Sequence, residues 1–583
     1  MCRLIPNVSY ADSTTGKPAE LNKPLSFALA LSRAVPFANS SLPLAAARGF
    51  LLQRASGKLT IGPSNEISWR EDMPGWFPRL MALFLLPCTL GISGPRAPEA
   101  WVPVRWTGGP LELAWRTRAK TLPADAAVRD ALARWYEPAT LGLLEDSPAN
   151  CLLVTWSAPA RVAVEAEQQQ LVKVYAEAAH KRGLAVLGLV YAAGDASKIA
   201  ADAARAALDG LVLEGEFAPE FPAALRKAAD SMLVVEIAKD AAPWRWKPAP
   251  IVAVAGVAPS ARNLSEMGIR GAPSSEPWIK SNIWLVRSFG LASPSRPVWI
   301  SDQIENASAV EYARTVADAA AAGGRWIVSL DDALRAKLRA RDASALEAWR
   351  RISSYLKFAE SHAAWRALAP YGNVGIVLDP ASTKQDLADE YLNLATRRQV
   401  PYRLVARSGL NAASVAKFRA LVTTDLDSPS AAEHKLLQDF AENGGLVIAG
   451  PSWGGAPKTE PFAEVPAGMG RVVVYKDPDP EAVVRDLKEL LSDDDLGVVP
   501  FNVPSVITFA SGGGPGQPLL VQLLNYFDHP VEAITLRVAG KFGSARLETP
   551  EGAAVDLPLR EAEGRTEVTI PKLLLWGAVS MEY

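Results

Sequence analysis

Two carboxylic acids in this sequence stand at the ends of short apolar segments, where a catalytic pair could form. Glu214 ends the apolar run 210–214, and Asp302 directly follows the run 297–301. Cleavage of a glycosidic bond needs two carboxyl groups across the bond, one to protonate the leaving oxygen and one to attack or to activate water. We therefore predict that Glu214 and Asp302 form such an acid/base pair. The structural alternative for Glu214 is an ion pair with an arginine such as Arg287.

Other polar and aromatic residues stand at the ends of the apolar runs or in loops beside them. An aromatic ring offers an apolar face that suits the C–H face of a pyranose. We predict that the substrate is bound by Trp156, Glu216, Glu236, Trp278, Asn282, Glu305 and Asp331. Further candidates beside the run ends are Glu276, Trp244, Trp246, Trp284 and Trp299. Burial in the core is the more common role for any single tryptophan, and Asp331 with Asp332 also fits the cap of a helix that begins there.

The charge and the cysteine pattern exclude several classes of function. The chain of 583 residues carries 61 basic and 63 acidic side chains, so no overall field attracts it to nucleic acid or to an anionic membrane surface. We expect a neutral ligand and no nucleic-acid partner. The three cysteines and four histidines are far apart, without the spacings of a zinc site, so we expect neither a metal nor another cofactor.

Eight apolar runs, which alternate with amphipathic helical segments, must position these side chains. Continuous runs rich in Val, Ile and Leu are typical of parallel strands buried on both faces. The predicted strands are residues 151–156, 184–191, 210–214, 232–237, 251–255, 282–286, 297–301 and 325–330. Eight β/α units close into a barrel whose active sites lie at the C-terminal strand ends. We predict a (β/α)8 TIM barrel over residues 101–368, with an open doubly wound sheet as the alternative.

A lead-in segment precedes these strands, and two smaller domains follow the barrel. Residues 101–147 form the lead-in, in which residues 111–115 are predicted as an extra strand. Strand and helix patterns alternate again over residues 370–497, which predicts a flavodoxin-like α/β domain. From residue 498 the apolar period is two, so residues 498–583 are predicted as a small antiparallel β-sandwich.

The N-terminal part has a different composition. Residues 1–75 are rich in Ser, Pro and Ala, and we interpret them as a disordered leader or a misplaced gene start. Residues 76–97 contain a positive charge, a short apolar run and a tail of small residues, which is the layout of a secretory signal. We expect translation to begin at Met73 or Met81 and the protein to be secreted or periplasmic, without an integral membrane span. The alternative is a buried helix docked on the barrel.

The order of the predicted domains resembles that of retaining β-galactosidases, in which a catalytic barrel is followed by an amidotransferase-like trimerisation domain and a β-sandwich. The segments that carry the likeness are residues 372–379, 420–425, 440–449 and 519–526. The resemblance implies that the middle domain serves assembly, so a homo-oligomer is expected. It does not imply glutaminase activity, because no cysteine follows Cys151.

The same resemblance implies positions for the catalytic groups. It places an acid/base, preceded by Asn, after the fourth barrel strand and a nucleophilic Glu after the seventh. In the predicted numbering, the fourth strand instead offers Glu236 between Val235 and Ile237, and the seventh is followed by Asp302.

These sequence features leave two functions open and argue against a third. The first is a glycoside hydrolase that acts on a neutral oligosaccharide or polysaccharide. The second is a catalytically inactive barrel that binds carbohydrate or serves assembly, since a barrel fold alone does not imply catalysis. An aldolase or isomerase acting on phosphorylated substrates lacks support, because no glycine-rich phosphate loop follows the last two strands.

Overall fold

The computed structural model describes residues 58–60, 66–68, 97–239, 249–262, 278–382, 384–501 and 503–583. The chain divides into two compact units, Met1–Gly91 and Ile92–Tyr583. In the first unit the described residues form an antiparallel pair, β1 (Lys58–Thr60) and β2 (Glu66–Ser68). The predicted signal-like run at residues 78–94 lies outside the described residues. In the described ranges, no helix is long and apolar enough to cross a membrane.

A closed parallel barrel forms the largest sheet of the second unit. Its strands are β3 (Pro103–Arg105), β4 (Cys151–Ser157), β5 (Ala185–Val190), β6 (Gly210–Leu213), β7 (Leu233–Ala238), β8 (Val252–Ala255), β11 (Val298–Ser301), β12 (Arg325–Trp326) and β13 (Val328–Ser329). A separate antiparallel pair, β9 (Ser260–Arg262) and β10 (Trp278–Lys280), lies between β8 and β11 in sequence. Only Ile327 separates β12, which pairs with β11, from β13, which pairs with β3. This last segment therefore joins both edges, and the predicted barrel is confirmed over the open sheet.

Helices alternate with these strands. They are α1 (Gly109–Ala119), α2 (Ala126–Ala133), α3 (Val162–His180), α4 (Ala196–Arg205), α5 (Glu220–Ala228), α6 (Ile283–Ala292), α7 (Ala309–Ala321), α8 (Asp332–Arg339) and α9 (Ala343–Ser361). Side chains on a strand alternate between the two faces of the sheet. Leu153, Leu187 and Trp299 belong to a buried cluster that fills the barrel interior. Neighbouring residues such as Leu152 belong to the larger core between the barrel and its helices.

Two predicted elements have the wrong secondary structure. In place of the strand predicted over residues 282–286, Asn282 is the N-cap residue of helix α6 and residues 283–286 form its first turn, because a short apolar run that is buried in a helix has no distinguishing period. Residues 111–115 lie within helix α1, and the lead-in segment contributes β3 as the first barrel strand. The barrel numbering therefore shifts by one for the early strands. Glu214 follows the fourth strand, and Glu236 lies on the fifth.

A six-stranded sheet follows the barrel in sequence. Its strands are β14 (Val374–Leu378), β15 (Tyr402–Ala406), β16 (Ala420–Val422), β17 (Leu446–Ala449), β18 (Phe462–Ala467) and β19 (Gly470–Tyr475). The order is β15-β14-β16-β17-β19-β18, and every neighbouring pair is parallel except β18 with β19. The accompanying helices are α10 (Gln385–Arg397), α11 (Ala412–Val415), α12 (Ala431–Glu442) and α13 (Pro480–Leu490).

Two antiparallel sheets lie at the C-terminus, after the short helix α14 (Asp493–Leu496). One contains β20 (Val498–Phe501), β23 (Val531–Ala539), β26 (Leu559–Ala562) and β27 (Arg565–Leu573). The other contains β21 (Val506–Gly512), β22 (Leu519–Asn525), β24 (Ser544–Thr549), β25 (Gly552–Asp556) and β28 (Trp576–Glu582). The sheets share one buried cluster. Phe509 and Trp576 pack into the core between the barrel and its helices, which fixes these sheets against the barrel.

Candidate active site at the barrel mouth

A polar layer closes the barrel interior at the C-terminal ends of the strands. The strand alternation that turns Leu189, Val212 and Trp299 inward continues to the residues one layer higher. These are Arg105, Tyr191, Glu214, Ser301 and Ser329. The barrel is apolar below this layer, so its chemistry is concentrated at the end where barrel enzymes hold their active sites.

Arg105 is the centre of this polar layer. Its guanidinium forms an ion pair with Glu214 through two hydrogen bonds, of which Nη2 to Oε1 measures 2.7 Å. Nη2 also lies 3.1 Å from Ser301 Oγ, and Nε lies 3.0 Å from Ser329 Oγ. Burial alone would lower the pKa of Arg105, but the charge and hydrogen bonds of Glu214 hold it above its usual value. Arg105 thus connects the first, fourth, seventh and eighth strands.

Asp302 follows directly after Ser301, at the end of the seventh strand. Its Oδ1 accepts a hydrogen bond of 2.8 Å from the backbone N–H of Gln303. Burial raises the pKa of Asp302, while backbone N–H groups and the charges of Lys280 and Arg105 offset part of the rise. Because its neutral form is favoured, Asp302 holds a proton at higher pH than an exposed aspartic acid.

The side chains of helix α1 add an ion-pair chain beside the mouth. Glu112 is 2% exposed, and its two oxygens accept hydrogen bonds from Arg116 Nε at 2.7 Å and Thr155 Oγ1 at 2.9 Å. Arg116 also pairs with Asp332, which in turn pairs with Arg335. The sequence prediction missed this group because it assigned the segment around Glu112 to a strand.

An aromatic stack stands next to Glu214. The rings of Trp115 and Tyr191 lie 4.6 Å apart between centroids at an interplanar angle of 14°. Both residues are partly exposed. Burial and the charges of Glu112 and Glu214 raise the pKa of the Tyr191 hydroxyl, which is therefore neutral. The stack places two partly exposed aromatic rings beside the polar layer.

Trp156 and Glu236 lie on the outer face of the barrel. Trp156 is fully buried and packs in the core between the strands and the helices. A Cβ added to Gly188 would lie 2.8 Å from Trp156 Cβ, so the two strands approach closely there. Glu236 alternates with the inward Val235 and pairs with Arg226 of α5 at 2.6 Å. The structure therefore separates these two residues from Glu214.

Asn282 and Asp331 begin helices. Asn282 is 1% exposed, stands at the start of α6 and donates to Asp318 at 2.8 Å. Asp331 caps α8 by accepting from Leu334 N at 2.8 Å, and it also accepts from Tyr312 Oη. Both side chains are thus used in local structure, as the capping alternative for Asp331 predicts.

The remaining predicted contacts lie nearer to the surface. Glu216 is 93% exposed and pairs with Lys239 at 3.3 Å, and Glu305 is exposed. Trp278 is 36% exposed, and the guanidinium of Arg397 stands 3.6 Å above its ring. The further candidates Trp244, Trp246 and Glu276 lie outside the described residues. Among the residues that the structure describes, no His, Cys, Asp and Glu cluster could hold a metal ion.

Comparisons with known proteins place this barrel among distant structural neighbours. No protein-family model and no curated protein matches the sequence. The α-L-fucosidase isoenzyme 2 of Paenibacillus thiaminolyticus aligns over 77% of this chain and 96% of its own, with 11% identity and a TM-score of 0.49. The cycloisomaltooligosaccharide glucanotransferase of Paenibacillus sp. aligns over 83% and 85%, with 9% identity and a TM-score of 0.36. The GH42 β-galactosidase Gan42B of G. stearothermophilus aligns over 72% and 67%, with 10% identity and a TM-score of 0.31. At these sequence identities and TM-scores, the likeness assigns no activity to this chain.

Proposed function

We propose that the protein is a glycoside hydrolase that cleaves a neutral oligosaccharide or polysaccharide at the barrel mouth, with Glu214 and Asp302 as the two carboxyl groups. The observation that carries the proposal is the position of Arg105, which bonds Glu214 on one side and Ser301, next to Asp302, on the other. A buried ion pair is often no more stabilising than apolar side chains of similar volume, so a polar layer at this end of the barrel is better explained by function than by stability.

The corrected strand numbering supports this pair. The resemblance to retaining β-galactosidases implies catalytic carboxyl groups after the fourth and seventh strands. Glu214 and Asp302 occupy those two positions. Leu213 stands where the family has Asn, and an aspartate follows the seventh strand where the family has glutamate.

The environments of the two acids suggest separate roles, in the reverse of the order that the resemblance implies. Asp302, whose pKa is raised by burial, donates a proton to the leaving oxygen. Glu214 forms an ion pair with Arg105 and serves as the carboxylate that attacks or activates water. Arg105 is a positioning residue, because it fixes the orientation of the Glu214 carboxylate relative to the seventh strand.

The substrate class follows from the charge balance and the aromatic stack. Arg105 is neutralised by Glu214, so the layer offers no excess charge to an ionic ligand. The paired rings of Trp115 and Tyr191 provide an apolar face for a pyranose. We assign the sugar-binding surface to this stack in addition to the predicted contacts Trp278, Glu216 and Glu305.

A second candidate function is a carbohydrate-binding barrel without catalysis. The observation in its favour is that both oxygens of Glu214 are bonded to Arg105. A carboxylate held in this way contributes to a rigid layer and does not have a free oxygen aimed at a substrate. This candidate uses the same aromatic stack and differs only in the absence of bond cleavage.

The assignments of the other domains remain proposals. We propose that residues 370–497 are a flavodoxin-like, amidotransferase-like module that serves homo-oligomer assembly, and that residues 498–583 are a β-sandwich. The single antiparallel edge strand β18 on an otherwise parallel sheet supports the first assignment. The core shared by the two C-terminal sheets supports the second.

An activity panel tests the proposed function. The full-length protein is incubated with neutral nitrophenyl glycosides and with a set of neutral oligosaccharides, and hydrolysis is compared with that of the Glu214→Gln/Asp302→Asn double variant. Hydrolysis by the native chain that the double variant lacks supports the proposal. Retardation of the protein in a polysaccharide gel without any hydrolysis identifies the second candidate. Hydrolysis that is equal in the two proteins contradicts both assignments.

A further inference from the structure

A cavity lies at the opposite end of the barrel from the polar layer. Its volume is about 860 Å³, and its wall includes Val298 and Arg325, which are the first residues of strands β11 and β12. The wall also includes Arg403 of the six-stranded sheet and Phe509 of the C-terminal sheets. The cavity is therefore separate from the mouth and lies where three parts of the molecule meet.

Positive charge dominates the wall of this cavity. The arginines that line it are Arg287, Arg296, Arg325, Arg366 and Arg403. Arg325 and Arg366 both bind Glu360, through contacts of 3.0 Å and 2.6 Å to its Oε1. These two guanidinium groups hold the pKa of Glu360 below its usual value against the opposing effect of burial. The single carboxylate of Glu360 thus forms ion pairs with two of the five arginines.

Among the described residues, the other three arginines donate hydrogen bonds to backbone carbonyls. Arg287 donates to Tyr402 O, Arg296 donates to Ala249 O, and Arg403 donates to Lys417 O at 2.8 Å. Within the described ranges, none of these three guanidinium groups forms an ion pair with a carboxylate. Glu99 also lines the cavity, and together with Glu360 it balances two of the five guanidinium charges, so the cavity wall carries an excess of positive charge.

Two of these arginines are also poorly solvated. The guanidinium of Arg287 lies 3.8 Å from the Tyr402 ring centroid and 5.2 Å from that of Phe509. The Nε atoms of Arg287 and Arg403 are buried, and neither has a hydrogen-bond partner among the described residues. Burial lowers the pKa of both side chains. A cation removed from water without a counter-charge destabilises the fold, and a bound anion offsets that effect.

Apolar and aromatic side chains make up much of the remaining wall. Leu291, Leu404, Phe509 and Trp576 line the cavity, and so does Trp365, whose ring stacks on His362 at 3.9 Å. Arg296 is exposed and stands on the solvent side. We propose that this cavity binds a small organic anion, with its carboxylate or phosphate group against Arg287, Arg296 and Arg403 and its apolar body against the aromatic wall.

Matched probes with one aromatic body and different head groups test the proposal. The full chain is titrated by calorimetry with 1-naphthyl phosphate, 1-naphthoate and the uncharged 1-naphthalenemethanol. We expect at least one anion to bind at least tenfold more tightly than the alcohol, with an affinity that falls as salt is added. Tighter binding of the phosphate or of the carboxylate identifies the natural head group. Anions that bind no more tightly than the alcohol overturn the proposal.

Variants locate the binding. Arg403→Gln and Arg296→Gln should each weaken anion binding at least tenfold, whereas Arg471→Gln, an exposed arginine of β19 that pairs with Glu464, should leave it unchanged. Arg296 is at the surface, so its replacement tests the site even when Arg403→Gln does not fold. Anion binding that is unchanged in Arg296→Gln and in any folded Arg403→Gln overturns the proposal. Hydrolysis at the mouth is measured in parallel, since loss of one property without the other separates this cavity from the active site.

Discussion

One nitrogen of Arg105 joins the two halves of the candidate active site. Nη2 lies 2.7 Å from Glu214 Oε1 and 3.1 Å from Ser301 Oγ. The fourth and seventh strands are thereby fixed relative to each other through a single buried side chain. Asp302 follows Ser301 in the chain, so the second proposed acid comes directly after a residue that Arg105 binds.

Replacing Arg105 should destabilise the barrel. Arg105→Gln removes a buried ion pair and leaves the Glu214 carboxylate, 24% exposed, without its counter-charge. We expect a loss of about 3 kcal/mol in the free energy of unfolding, measured by urea denaturation. The exposed pair of Arg134 with Asp130 is the matched control, and Arg134→Gln should cost less than ~1 kcal/mol. Equal unfolding midpoints for the two variants would show that the buried Arg105 pair contributes no more to stability than the exposed Arg134 pair.

The raised pKa of Asp302 predicts the pH dependence of hydrolysis. The proton donor is lost as the pH rises through the pKa of Asp302, so the profile of kcat/KM should have a descending alkaline limb. The apparent pKa of that limb should lie above the ordinary range for aspartate. Asp302→Glu should keep some activity and shift the limb, while the residual activity of Asp302→Asn should lack the limb. A profile measured with an activated leaving group, which needs less protonation, provides the control. An unchanged limb in Asp302→Glu would assign the titration to another group.

A buried acid in the turn after β16 predicts a pH-dependent stability. Asp425 is 5% exposed, and burial raises its pKa from 3.8 to about 6. Between those two values the folded chain binds more protons than the unfolded chain, so stability falls as the pH rises from about 4 to about 6. Asp425→Asn removes this fall and should stabilise the protein at pH 7.5 by up to ~3 kcal/mol.

Thermal unfolding midpoints measured at pH 4 and pH 7.5 test this prediction. The control is Asp439→Asn, which changes an exposed aspartate of α12 that pairs with Lys435. The difference between the Asp425 variant and the native protein should be small at pH 4 and large at pH 7.5. A difference that is the same at both pH values would contradict a titration of Asp425.

The signal-like run predicts proteolytic processing. Residues 78–94 have the charge, apolar run and small-residue tail of a secretory signal. N-terminal sequencing of the native protein should therefore give a mature start after Gly94. A native chain that retains residues 78–94 would support the alternative of a helix docked on the barrel.

The repeat of strands and helices made the barrel predictable from the sequence. It also made the strand ends that carry Glu214 and Asp302 predictable. Continuous apolar runs identified seven of the eight barrel segments found among the residues that the structure describes. The first strand, Pro103–Arg105, has three residues and ends on a charge, so it lacks an apolar run. For that reason Arg105, the centre of the polar layer, had no signal in the sequence.

Strand alternation explains the placement of two other predicted residues. Glu236 stands between Val235 and Ile237, both of which face the interior, so its side chain must face the helices. The same alternation turns Trp156 outward and Thr155 inward, where Thr155 bonds Glu112. This information was present in the sequence. The pairing of Trp115 with Tyr191 was not, because it depends on a helix whose apolar residues also fit a strand.

The most direct test of the central claim is the steady-state kinetics of single variants on one hydrolysed glycoside. Glu214→Gln and Asp302→Asn should each lower kcat by about 100-fold or more with little change in KM, because each removes a group that acts in the transition state. Glu220→Gln and Asp230→Asn, which change exposed acids outside the mouth, should retain native kinetics. Native turnover in either Glu214→Gln or Asp302→Asn would contradict the assignment of this pair as the catalytic carboxyl groups.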